Sequence, residues 1–187
     1  MISILSLWMP IVVSAVLVFI ASSVIHMLLP YHKNDFRKLP DEEGVLDALG
    51  RFSIPPGDYV MPYAGSTEAM KSDTYRGKVE RGPVAFMTVV EPSTVFNMTP
   101  SLIQWFLYSA FVGVFAAYVA GRTLTAGAEY LDVFRLTGTV AFACYAVGLM
   151  QRSIWYHQSW STTGKTMFDG LIYAALTAGA FGWLWPS

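Results

Sequence analysis

Hydrophobic residues are concentrated in four long stretches of the chain, and polar residues in one segment between the first two stretches. The stretches lie near residues 4–29, 100–121, 133–151 and 166–185 of the 187-residue sequence. Each provides roughly the 20 apolar residues that a helix needs to cross a ~30 Å hydrocarbon core. The pattern therefore predicts four transmembrane helices.

The residues that flank the stretches predict where these helices begin and end. No Lys or Arg precedes the first stretch, and its apolar run exceeds the ~7–15 residues of a signal-peptide core, so we expect a retained helix. Pro30 should close this helix, and Thr99 before Pro100 is typical of a helix N-terminus. One of the residues 161–163 (Ser-Thr-Thr) is expected to cap the fourth helix.

The segment 31–99 carries 18 of the 25 charged residues, yet its pattern predicts a folded module. Acidic residues after Pro40, followed by apolar positions up to Gly50, predict a short helix. Apolar runs at 58–61 and 84–90, bounded by Pro and Gly, predict two β-strands. Two strands alone are marginal in water, so we expect the module to be stabilised by the membrane helices, a second copy or another subunit.

These elements predict a mainly α membrane protein with a small α+β module inserted between helices 1 and 2. Residues 1–30 hold the first transmembrane helix, residues 31–99 the module, and residues 100–187 transmembrane helices 2–4.

Basic residues near the span ends predict the orientation, because Lys and Arg accumulate on the cytoplasmic side. Arg122 and Arg135 mark one side. The opposite side carries six basic residues: Lys33, Arg37, Lys38, Arg81, Arg152 and Lys165. We therefore expect a multi-pass protein of the bacterial inner (plasma) membrane, with the module in the cytoplasm and both termini outside.

Composition and motifs exclude several classes of function. A net charge of −1 gives no basic surface for nucleic acid, so the expected partners are the lipid bilayer and other proteins. Cys144 is the only cysteine, which excludes an intrachain disulfide and a cysteine-based zinc site. No Gly-x-Ser-x-Gly, His-Glu-x-x-His or phosphate-binding glycine pattern occurs, so the sequence favours a protein that is not an enzyme.

The strongest motif is a four-residue spacing of small side chains in helices 2 and 4. Such spacing places small residues on one helix face, where they allow another helix to approach closely in lipid. The residues are Ser109, Gly113, Ala117 and Gly121 in helix 2, and Gly170, Ala174, Ala178 and Gly182 in helix 4. Contacts within one chain and contacts between chains both agree with this pattern.

Polar residues near the cytoplasmic ends of the helices suggest one candidate cluster. His26 and His157 are predicted at the same level, and Lys165 and Asp169 lie one helical turn apart nearby. Hydrogen-bonding roles at the interface are favoured over metal or haem ligation, so no cofactor is expected. Acidic or basic residues are expected only near span ends, which argues against an ion-coupled transporter acting as a monomer.

Three functional hypotheses follow. The favoured one is a non-catalytic accessory or scaffolding component that acts through helix packing and the module, self-associating or binding other membrane subunits. The second is an oligomeric channel or small-solute transporter, with a pore lined by Ser109, Thr137, Thr139 or Thr177. The third is a membrane enzyme or cofactor-binding subunit that uses His26 and its polar neighbours.

Overall fold

The computed structural model describes residues 2–187, which form two compact units. We call the first unit, Met1–Phe36 with Thr99–Ser187, the bundle, and the second, Arg37–Met98, the module. The six residues Tyr31–Phe36 therefore belong to the bundle, although the charge pattern grouped them with the module. This boundary matters because two of those residues contribute to the site described below.

The chain is mainly helical, with one small sheet. The elements in chain order are α1 (Trp8–Leu28), α2 (Glu42–Gly50), β1 (Gly57–Met61), α3 (Thr67–Met70), α4 (Asp73–Arg81), β2 (Ala85–Val89), α5 (Pro92–Phe96), α6 (Thr99–Thr123), α7 (Tyr130–Tyr145), α8 (Met150–Tyr156) and α9 (Trp160–Trp183).

Three helical segments are long and apolar enough to cross a membrane. They are Ile4–Leu28, which adds a short 3₁₀ turn to α1, Thr99–Thr123, and Tyr130–Tyr156, which contains α7 and α8. Residues 2–187 therefore contain three candidate membrane-spanning helices. The helix α9 is of similar length but carries Lys165 and Asp169 in its first half.

Two helix boundaries differ from those that the sequence predicts. The third predicted helix is interrupted by the 3₁₀ turn Val147–Leu149, which contains a glycine, the residue type with low helix propensity. The fourth begins at Trp160, after the extended Ser159, so the predicted cap at residues 161–163 is wrong. Asp169 consequently lies about 14 Å along α9 from its first residue rather than near its end.

The helices of the bundle pack in the cyclic order α1–α6–α7–α9, each against its two neighbours. Two groups of buried side chains fill the interior. One group includes Val18, Val112 and Tyr173, and the other includes Leu7 and Phe181. The earliest and the latest helix in the sequence are thus direct neighbours.

Both sets of small residues make contacts within the chain. A Cβ atom placed on Gly113 would lie 3.3 Å from side-chain atoms of Ile11 and Ser14 in α1. One placed on Gly170 would lie 3.0 Å from the Ala146 Cβ. Seven of the eight small residues are buried, and Gly182 is half-buried against the Tyr130 ring. The close approach therefore joins α6 to α1 and α9 to α7.

The module contains the predicted helix at α2 and the two predicted strands. Asp41 caps α2 by accepting a hydrogen bond from the Gly44 amide. The strands pair antiparallel, from Gly57 opposite Val89 to Met61 opposite Ala85. The helices α4 and α5 were not predicted from the sequence pattern. No residue between positions 37 and 98 is buried.

Candidate functional site

The candidate site lies where the chain leaves α1 and meets the first half of α9. The helix α1 ends at Leu28, Leu29 is extended, and Pro30–His32 forms a 3₁₀ turn. This turn brings Tyr31 and His32 to α9, where they meet an acidic and a basic side chain one helical turn apart. We call the residues Tyr31, His32, Asp35, Lys165 and Asp169 the polar cluster.

His32 occupies the centre of the polar cluster, between two carboxylates. Its Nδ1 lies 2.6 Å from an Asp35 oxygen, and its Nε2 lies 2.9 Å from Asp169 Oδ2. The Tyr31 hydroxyl donates to Asp169 Oδ1. The Asp169 residue is fully buried, so its carboxylate depends on these partners in place of water.

Lys165 holds the outer part of the polar cluster together. Its ammonium group donates to Asp35 Oδ1 at 2.7 Å and to the backbone carbonyl of Tyr31 at 2.6 Å. The hydrogen bond from Lys165, followed by that from His32, keeps the pKa of Asp35 below its ordinary value. The Asp35 side chain is only 8% exposed, so these charges interact largely out of water.

A cavity of about 310 Å³ adjoins the polar cluster inside the bundle. His26 and Asp169 line one part of it. Leu149 and Thr166 also line it, together with four aromatic side chains from α6, α7 and α9: Trp105, Tyr108, Tyr145 and Tyr173. Neighbouring rings in this group contact each other edge-on or tilted, with centroids 5.6–6.3 Å apart, which fixes the shape of the wall.

Two hydroxyl groups in the cavity wall are buried without a hydrogen-bond partner among residues 2–187, those of Tyr145 and Tyr173. The hydroxyls of Ser109 and Thr177 lie near that of Tyr145, and each donates its own proton to a backbone carbonyl of its helix. Buried polar groups are rarely left unpaired, since doing so costs about 1–3 kcal/mol each. The cavity therefore offers hydrogen-bonding groups to a bound ligand.

The structure brings together three of the four polar residues singled out from the sequence. His26 borders the cavity, and Lys165 and Asp169 belong to the polar cluster. The histidine beside His26 is His32, with ring centroids 4.6 Å apart. His157 instead ends α8 in the left-handed conformation, and its side chain is exposed.

The candidate pore residues are mostly unsuited to line a path between copies. Ser109, Thr137 and Thr177 are at most 1% exposed, and each donates its hydroxyl proton to its own helix backbone. Thr139 is exposed but also bonds its own helix, to the Arg135 carbonyl. Of the four, Thr139 alone is exposed on the surface of the bundle.

The sequence contained signals for the residues that pattern reasoning missed. His32 and Asp35 are three apart and follow a helix end directly, which is a spacing that allows a local pair. Their partners in α9 are about 130 positions away in sequence and leave no local signal.

Comparison with known proteins finds no matching family model, no matching curated protein and no matching solved structure.

Proposed function

We propose that this chain is a four-span membrane protein that acts as a non-catalytic accessory component, with the module as its contact surface for another protein. The supporting observation is that no residue between positions 37 and 98 is buried. Several apolar side chains there are more than half exposed, including Leu46, Phe52, Val84 and Phe96. A segment that exposes several large apolar side chains and buries none is a candidate for contact with another protein.

The charge of the module favours a protein partner over the membrane surface. Residues 37–98 contain seven basic and nine acidic side chains, a net charge of −2. Anionic lipid headgroups attract basic segments and repel acidic ones. The partner is another membrane subunit or a second copy of this chain. Self-association would use the module or outer helix faces, because the small-residue faces of α6 and α9 are occupied within the bundle.

We propose that α9 is the fourth transmembrane span. A helix of 24 residues is about 36 Å long, enough to cross the hydrocarbon core. It packs against α1 and α7, which both belong to candidate spans. Its two charged residues, Lys165 and Asp169, are paired with the loop after α1, and such pairing makes charge tolerable at membrane depth.

The excess of basic residues beside the module supports a cytoplasmic location for it, as the positive-inside rule requires. With four spans, both termini then lie outside the plasma membrane. Near the span ends, the cytoplasmic side carries six basic residues and the outer side carries two.

Hydrogen exchange tests whether the module depends on a partner. We expect the amides of β1 and β2 to exchange rapidly in the purified full chain, because a two-stranded sheet without buried residues opens easily. In the membranes where the protein is naturally made, the same amides should exchange at least tenfold more slowly. Mass spectrometry of peptides covering Gly57–Met61 and Ala85–Val89 provides the measurement.

Amides of α9 serve as the internal reference, because this helix is packed on both sides in either preparation. Equal protection of the strands in the purified chain and in the native membrane would show that the module needs no partner. That result would remove the support for the accessory role.

A second candidate function is a membrane subunit that binds a cofactor or another small ligand in the bundle. The observation that favours it is the cavity beside the polar cluster, with its two unpaired tyrosine hydroxyls. Cavities lined by apolar and aromatic side chains with a few polar groups are typical of small-molecule sites.

Filling the cavity should remove a bound ligand. We expect native mass spectrometry of the gently solubilised protein to show a retained small-molecule or metal mass, and Leu149→Trp to abolish it by occupying the cavity. Leu171→Trp is the matched control, since Leu171 is exposed on the outer face of α9. A wild-type chain without any retained mass, or equal retention in both variants, would argue against this function.

A further inference from the structure

We propose that His26, His32 and Asp169 bind a divalent transition-metal ion at the edge of the cavity. The inference rests on the second candidate function and names its ligand. One potential ligand atom from each of the three residues lies within 4.8 Å of the others. Two imidazole nitrogens and one carboxylate oxygen suit zinc, iron, cobalt or nickel, whereas magnesium and calcium prefer oxygen ligands alone.

The separation of His32 and Asp169 agrees with a shared ion. Ligand bonds of about 2.0–2.1 Å hold neighbouring ligand atoms about 2.9–3.4 Å apart, depending on the coordination geometry. His32 Nε2 and Asp169 Oδ2 are 2.9 Å apart. His26 completes the set from the last turn of α1, with a ring nitrogen within 4.8 Å of the ligand atoms of His32 and Asp169.

The residues around His32 and Asp169 form hydrogen bonds of the kind that usually orient metal ligands. A ligating histidine normally donates its other ring N–H to a carboxylate or carbonyl, which fixes its orientation. Asp35 occupies that position at His32, and Lys165 anchors Asp35. The Tyr31 hydroxyl donates to the other oxygen of Asp169 and leaves Oδ2 for the ion.

The charges of the polar cluster and its position beside the cavity also favour a bound metal ion. The polar cluster holds two carboxylates and one lysine ammonium, and Asp169 is fully buried. A divalent cation would place positive charge beside that buried carboxyl group. His26 and Asp169 line the cavity, and so do Tyr145 and Tyr173, whose hydroxyls have no hydrogen-bond partner among residues 2–187. A water or a small ligand on the metal would pair with them.

Cobalt(II) is a suitable probe, because its visible absorption reports nitrogen and oxygen coordination in a folded protein. We expect the tag-free full chain, treated with chelator and then titrated with Co²⁺, to bind one equivalent per chain. His26→Gln and Asp169→Asn should weaken binding at least tenfold. Asp35→Asn should weaken it about 10–100-fold through the orientation of His32. His157→Gln, at a histidine outside the site, should bind as the wild type does.

A melting curve without metal separates loss of a ligand from loss of the fold. His26→Gln should melt near the wild-type temperature without metal and lose the Co²⁺-induced increase. Failure of the wild-type chain to bind one equivalent, or unchanged binding in His26→Gln, would overturn the metal site. If an organic molecule is retained in the cavity while no metal binds, the ligand-binding function stands and only the metal assignment fails.

Discussion

Replacing Gly170 by leucine is expected to destabilise the bundle by about 2–3 kcal/mol. Overpacking a filled interior usually costs about 1–3 kcal/mol. A Cβ at this position would lie 3.0 Å from the Cβ of Ala146 and 3.3 Å from the backbone of Tyr145, and backbone atoms cannot rotate away. The apparent melting temperature in mild detergent should therefore fall, while any association between chains stays unchanged.

Gly164→Leu is the matched control, because it makes the same substitution in the same helix. Nothing lies within 4 Å of a Cβ at Gly164, and leucine has a higher helix propensity than glycine by several tenths of a kcal/mol. Its melting temperature should match or slightly exceed that of the wild type. Equal effects of the two substitutions, or dissociation of an oligomer by Gly170→Leu without loss of stability, would contradict close packing of α9 on α7 within the chain.

Replacing Lys165 by methionine is expected to cost about 2–3 kcal/mol. Removing one partner of a buried ion pair costs about 3–5 kcal/mol, and the lysine side chain is 28% exposed, so water offsets part of the loss. Asp35 would keep only His32 as a partner, and the Tyr31 carbonyl would lose its donor. Denaturant-dependent unfolding of the purified chain gives the measurement.

Two further variants separate the charge pair from general effects of losing a basic residue. Arg135→Met removes an exposed partner of Asp132 at 3.8 Å, and should cost less than about 1 kcal/mol. Combining Lys165→Met with Asp35→Leu should cost less than the sum of the single changes, because no buried carboxylate is left unpaired. An additive double variant would contradict a direct interaction between Lys165 and Asp35.

The elements that the sequence predicts well are those governed by local pattern. Apolar length indicated the three candidate spans, and short apolar runs between Pro and Gly indicated both strands. The helix α2 followed from acidic residues at its start and apolar positions behind them. In each case the signal lies in one continuous stretch of the sequence.

The polar cluster was only partly predictable, because its partners are distant in sequence. His32 and Asp35 lie in a charged segment whose composition is typical of solvent-exposed chain, and only their contacts with α9 reveal another role. The break at Val147–Leu149 and the early start of α9 had no clear local signal either. That early start moved Asp169 from the predicted helix end to the interior of the bundle.

The cyclic packing of the helices has a consequence for the order of events during synthesis. His26 belongs to the last turn of α1 and His32 to the 3₁₀ turn after it, whereas Asp169 and Lys165 belong to α9. The helices α1 and α9 are neighbours in the ring. The ribosome completes α1 before α9. The site cannot exist until α9 has been synthesised, and a ligand that requires it would bind only after α1 and α9 have packed together.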